Sequence, residues 1–276
     1  MLVELQTEFF KLAKKPRTYI GPSALMCLLA LIIVAIKYGH EFQYMQERLA
    51  RDFIISGSFA NAAFLTRYVL LPPVLLMFLP LFSSMVFGDL LAAEAADGTL
   101  RTLLCRPVTR IGIAVSKYLL GVFYVLTLTL GLGIAAYLLG AVFLGRGSLL
   151  SFFGGIWIIP EKAAILRLFE VYALVALGMV STGSIAFAIS TFLSNSNGAV
   201  GGAVGFITIS AIIGGIEFFS SIKPYLLTTY LLSVDRLFTD KLDTALYLKS
   251  AEVFAVYAVV ALIIGLIIFQ KKDVLA

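Results

Sequence analysis

An all-α integral membrane protein with six transmembrane helices is the fold class this sequence predicts, on three observations. Hydrophobic residues make up 61% of the 276 residues and charged residues only 13%, with a mean hydropathy of +1.01. A water-soluble domain is about half apolar and a quarter charged, so too little polar surface is left to cover a globule in water. Six apolar runs each reach span length, since about 20 residues at 1.5 Å rise cross a hydrocarbon core about 30 Å thick. The basic residues gather near the ends of these runs, where anionic head groups and snorkelling account for them. No interleaving of basic and aromatic residues points to nucleic acid.

Met1 to Arg17 reads as an amphipathic helix lying in the head-group plane, about residues 1–18. Leu2, Leu5, Phe9 and Leu12 recur three or four apart, Glu4, Glu8, Lys11, Lys14 and Lys15 take the other faces, and Pro16 marks the end. Glu4 and Glu8 interrupt any basic leader, so a cleavable signal peptide is not expected. The six-span domain, 19–276, follows. Tyr19 to Ile36 is the first span. A mixed segment comes next, with Phe42, Met45, Leu49 and Phe53 marking a half-buried helix and Glu47–Arg51 a surface pair.

Val69 to Leu91 is the second span, with Pro72 and Pro73 in its first turn and Pro80 kinking its middle. Ser83 and Ser84 can re-satisfy the carbonyls that the proline frees, or line a substrate path. Residues 111–144 form a long third span. The far-side segment after it carries the apolar island LLSFFGGIWII, in which Trp157 fits an interfacial belt. Arg167 and Glu170 form a mutually neutralising pair at the rim of the fourth span, 171–193, whose Ser181, Thr182 and Ser184 suit interhelical hydrogen bonds. The fifth span, 199–219, holds overlapping GxxxG patterns, Gly198 with Gly202 and Gly201 with Gly205. The sixth is 253–269.

Six spans place both termini on the side of the segment between spans two and three. Ten of 21 basic residues lie on that side, so raw counts do not orient the chain. Four of the ten precede the first span, which favours that side as cytoplasmic. Cys27 and Cys105 fall in different environments and His40 is the single histidine, so a zinc or haem site lacks ligands. No phosphate-binding GxxxxGK[ST] loop occurs.

The most structured polar stretch is GDLLAAEAADGTLRTLLCRPVTRIGIAVSK, Gly88 to Lys117. Asp97-Gly98 is a turn, Thr99 caps a short helix, and Arg106-Pro107 stops it. Thr109 then caps the next span. Asp89, Glu94, Gly98, Thr99, Leu100, Leu104, Pro107, Thr109, Arg110 and Lys117 together form a pattern that resembles the signature of ABC-2-type transporter permeases. The six-span layout and the closing FQKKD are similar to that family too.

The resemblance implies the membrane subunit of an ATP-driven exporter in a bacterial or archaeal cytoplasmic membrane, with both termini cytoplasmic. Its expected partners are two copies of a cytoplasmic ABC ATPase, a second permease copy or homologue, and membrane lipid. ATP and Mg would sit on the ATPase and no cofactor on this chain. The segment at about 93–109 would be the coupling helix that rests in a groove of the ATPase. Glu94, Gly98, Thr99, Leu100, Arg101, Leu104, Arg106, Pro107 and Arg110 would carry that contact, with Leu100, Leu103 and Leu104 filling the groove and Arg101 and Arg106 pairing with its acids. Pro80, Ser83, Ser84, Gly202, Gly205 and Thr208 are the candidate path residues. The absence of clear charge within the spans favours an amphiphilic cargo. Two alternatives are an intramembrane lipid-modifying or proteolytic enzyme and an ATP-independent channel or scaffold. An enzyme would need paired catalytic groups at one depth, which His40 and Ser83 do not provide. A channel would more often show rings of charge or a carbonyl filter.

Overall fold

A computed structural model describes residues 2–39, 61–96, 109–151, 157–193, 195–239 and 242–271, with backbone only for residues 2–5, Arg17 and residues 94–96. Helix α1 (Leu2–Lys14) turns at Lys15-Pro16 into α2 (Arg17–Tyr38). A continuous helix, α3, covers residues 62–96. Then come α4 (Arg110–Phe143), strands β1 (Leu149–Ser151) and β2 (Trp157–Ile159), α5 (Glu161–Phe192) and α6 (Ser196–Gly215). A short α7 (Leu227–Leu232) sits among 3-10 turns before α8 (Thr244–Lys271). Among the described residues six helices are long and apolar enough to cross a membrane: α2, α3, α4, α5, α6 and α8. The chain is a multi-pass, all-α membrane protein, with one small hairpin at the end of the bundle opposite to α1. The expected helix carrying Phe42, Met45, Leu49 and Phe53, and the Glu47–Arg51 pair, lie outside the described residues.

Helix α5 is the hub, packed against α3, α4, α6 and α8. Its small and hydroxylated residues explain why. Gly183 lets the Phe87 ring of α3 lie directly on the α5 backbone, and Gly133 of α4 does the same for Tyr172 of α5. Ser181 donates to the Phe254 carbonyl of α8 at 2.7 Å, and Ser184 shares a 2.8 Å hydrogen bond with the Tyr118 hydroxyl of α4. Such bonds between helices are worth about 0.6–2 kcal/mol each in a membrane. Thr182 bonds instead within its own helix, to Gly178.

The second span departs from expectation. It starts at Ala62, capped by the Asn61 side chain, so Pro72 and Pro73 are interior rather than in a first turn. Two wide π-helical stretches, Leu65–Leu70 and Val74–Phe78, absorb them. A proline ring clashes with the carbonyl four residues before it and leaves that carbonyl without an N–H. Those carbonyls belong to Tyr68 and Val69 for Pro72 and Pro73, and to Leu76 for Pro80. All three fall inside the π stretches, where the widened turn makes room. Ser83 and Ser84 do not repair this break. Ser83 donates at 2.6 Å to the Met179 carbonyl of α5, and the Ser84 hydroxyl is buried without a partner.

The apolar island is a hairpin, with Leu149 opposite Ile159 and Ser151 opposite Trp157. Trp157 stays exposed on it. Beneath the hairpin Arg67 is fully buried, its guanidinium between the Tyr68 and Phe238 rings at 4.3 and 4.0 Å. It donates to Ser151 Oγ at 2.8 Å, and Ser151 in turn donates to the Phe238 carbonyl. One planar cation thus pins α3, the hairpin and the turn after α7. Arg167 does similar work nearby: it pairs with Glu170 at 3.6 Å and donates to the Leu237 and Thr239 carbonyls.

Candidate functional site

The stretch that resembles a coupling element is described at its two flanks. Residues 97–108 lie outside the described residues, and with them Gly98, Thr99, Leu100, Arg101, Leu103, Leu104, Arg106 and Pro107. Glu94 sits on the last turn of α3, described by its backbone alone. Four motif residues remain, Asp89, Thr109, Arg110 and Lys117, and each has a separate attachment.

Thr109 is extended (φ −76°, ψ 141°), and its hydroxyl accepts the Gly112 N–H at 3.1 Å, the N-cap expected from sequence. Arg110 reaches the end of α8 and donates to the Gln270 carbonyl at 3.4 Å. A cation there also complements the negative end of the α8 dipole. Asp89, one turn before Glu94 on α3, accepts from Ser196 at the start of α6. Lys117, two turns into α4 and only 1% exposed, donates to Glu8 of α1 at 2.8 Å. Glu8 also takes Lys11 at 2.8 Å, so one buried carboxylate bridges two ammonium groups. Burial pushes the Glu8 carboxyl up, but the Lys117 and Lys11 charges and their hydrogen bonds outweigh it. The group is held below the usual carboxylate value of 4.5.

The segment therefore leaves α3 and enters α4 between residues fixed to α6, α8 and α1. The same contacts put α1, the last turn of α8 and the start of α4 at one end of the bundle. The Glu8–Lys117 pair was not read from sequence, where Glu8 fell on an outer face of α1. The available signal was Lys117 itself. A lysine two turns inside an apolar helix needs an acid, and the spans supply few. Likewise the absence of clear charge within the spans does not hold, because Arg67 and Lys117 are both buried in span-length helices.

The candidate path residues lie on two helices, α3 and α6. Pro80, Ser83 and Ser84 are buried, and Ser83 bonds to α5. On α6, Gly202 and Thr208 are exposed and Gly205 is half-exposed, with open space beside the Gly205 Cα. Thr208 bonds to its own helix at Val204. Helices α3 and α6 pack together, and Gly88 there admits Ala199 and Val200. Replacing Ser84 with alanine removes an unsatisfied buried hydroxyl, so thermal stability in detergent should stay level or rise by about 1 kcal/mol. A loss of stability would show that this hydroxyl has a partner.

A family model described as "Protein of unknown function (DUF2705)" matches residues 25–275, almost the whole six-helix region. The chain belongs to the DUF2705 family. The match starts inside α2, so α1 and its Glu8 stand before the DUF2705 region. A curated relative, "Uncharacterized protein YhcI" of Bacillus subtilis (strain 168), is 26% identical over 207 residues. That alignment covers 70% of this chain and 64% of the relative's length, so the chain spans less than two thirds of that protein.

Proposed function

We propose that this DUF2705 chain is the membrane subunit of an ATP-driven exporter, and that residues 93–109 are its coupling element. The reading rests on the sequence pattern from Asp89 to Lys117 together with one structural observation. The pattern's described residues, Asp89, Arg110 and Lys117, tie the flanks of the segment to three different helices. A lever that passes motion from a soluble motor to membrane helices needs both ends anchored in the body it moves, and this segment has them. A plain connecting loop needs no such anchorage.

On this reading the end of the bundle bearing α1 faces the cytoplasm of a bacterial or archaeal cell, and α1 lies in the interface plane. A separate ATPase, two copies with ATP and Mg, docks on residues 97–108, and a second permease copy or homologue completes the transporter. A cargo path would form between copies, where the exposed Gly202, Gly205 and Thr208 face of α6 is available. The motif charges give the test. Reversing Arg101 to Glu should cut ATPase association and stimulated hydrolysis by at least about tenfold, since a desolvated interface charge costs about 2–5 kcal/mol when its partner is stranded. Unchanged association and hydrolysis in both Arg101→Glu and Glu94→Lys would remove the coupling assignment.

A further inference from the structure

The corner between α1, α2 and α4 holds a groove that coupling does not need. Its cavity is about 370 Å³, within the range of about 300–1,000 Å³ typical of ligand sites. The walls are apolar: Phe9 and Leu12 of α1, Pro22 and Met26 of α2, Phe123 and Leu132 of α4. Phe9 and Phe123 meet edge to face at 5.5 Å and form one side. Gly131 forms open floor, with no atom within 4 Å of where its Cβ would be.

The groove is preformed rather than a gap between loose helices. Thr18 donates to the Leu12 carbonyl at 2.7 Å and Tyr19 to the Ala13 carbonyl at 2.8 Å, which fixes the angle between α1 and α2. Pro22 has no N–H for the Thr18 carbonyl, and the Tyr124 hydroxyl of α4 supplies that bond at 2.9 Å. These bonds hold three helices apart at a set distance.

Leu12 and Thr18 line both the apolar groove and a small polar cleft beside it. The charged groups on that cleft are Lys11, Lys15 and Lys117 against Glu8 and Asp89, a positive excess. Glu8 already bridges Lys11 and Lys117, and Asp89 accepts from Ser196, while Lys15 is exposed. An apolar slot that shares a wall with a net-positive polar cleft suits an acyl chain joined to a phosphate.

We infer that this corner seats one acidic phospholipid of the surrounding leaflet, with an acyl chain along Gly131 and its phosphate at Lys15. The site stands on the membrane placement of α1 and on the groove, not on the ATPase. Its failure would leave the coupling assignment intact, and failure of coupling would leave this site intact.

The test is native mass spectrometry of the full chain, released from micelles doped with dioleoylphosphatidylglycerol or dioleoylphosphatidylcholine. One phosphatidylglycerol per chain should be retained in preference to phosphatidylcholine. Lys15→Glu should lose that preference by at least about fivefold, the change that about 1 kcal/mol per lysine corresponds to. Gly131→Leu should block retention of both lipids while keeping the wild-type melting temperature. Thr127→Phe, also on the groove wall, is the second blocking variant should the first misfold. Equal retention of the two lipids, or wild-type retention in both folded blocking variants, would overturn the site. So would displacement of the lipid by glycerol phosphate alone at equal concentration, which would mark a free-anion cleft.

Discussion

Lys117→Ala should destabilise the chain by up to about 3–5 kcal/mol, the cost of breaking a buried ion pair, with the part-exposed Lys11 left as the one described partner of Glu8. Lys117 is 1% exposed and Glu8 9%, so solvent cannot take over from either partner. The loss should begin locally. With Lys117 gone, α1 loses its polar tie to α4, and tryptic cleavage after Lys14 should appear before global unfolding. The paired replacement Glu8→Leu with Lys117→Met should cost far less, because no charge is left stranded. A double variant as damaged as the single one would show that the pair itself is not the source of the effect.

The pair also has a pH signature. The folded Glu8 carboxyl lies below its ordinary value of 4.5, so the unfolded chain binds the proton more readily. Its contribution is therefore fully present above pH about 4.5 and is lost as pH falls through the lower folded value. Wild-type melting temperature should drop over that acid range. Glu8→Gln should lack that part of the drop and melt lower at neutral pH.

The second large effect is expected at the hub. Gly183→Val should cost at least about 1–3 kcal/mol through overpacking. A Cβ at Gly183 would lie 2.3 and 2.5 Å from Phe87 ring carbons and 2.8 Å from Ser83 Oγ. The ring has no free direction. It is held edge-on to Tyr118 at 5.5 Å and rests on Gly121, where an added Cβ would be 2.9 Å away. Helices α3, α4 and α5 should separate together, visible as a lower melting temperature and faster denaturation in detergent. Combining Gly183→Val with Phe87→Leu should recover part of the loss, since the smaller side chain vacates the contested space. No recovery would place the strain outside this contact.

Much of the fold was legible because hydropathy over 20 residues depends on local sequence alone. The first and third helices match their expected bounds to within two residues, whereas α5 starts at Glu161 rather than at 171 and α8 at Thr244 rather than at 253. The second span was misjudged for a physical reason. Three prolines suggested a start near residue 69 and a kink, whereas wide turns let one helix run from Ala62 through all of them. Sequence periodicity does not carry that adjustment. The hairpin around Ser151 and Trp157 was hidden because its short apolar strands read equally well as an interfacial island.

Tertiary partners were the least legible. Glu8 and Lys117 are 109 positions apart, and Arg67 and Ser151 are 84 apart. What the sequence did offer was the cost of leaving such charges alone in an apolar run. That argument, applied to Lys117 and Arg67, would have called for partners without naming them. The cap at Thr109 and the Arg167–Glu170 pair were legible because both are local, within one helical turn.

Cys105 lies within the proposed coupling element and Cys27 is exposed on α2. A Cys27→Ser chain therefore carries one thiol, within that element. Labelled with a photoactivatable maleimide and illuminated in native membranes, it should give a single protein adduct. Peptide sequencing of that adduct should identify a cytoplasmic ATPase with a phosphate-binding loop, and added nucleotide should change the yield. Labelling of lipid alone, or of proteins without a nucleotide site, would contradict the account.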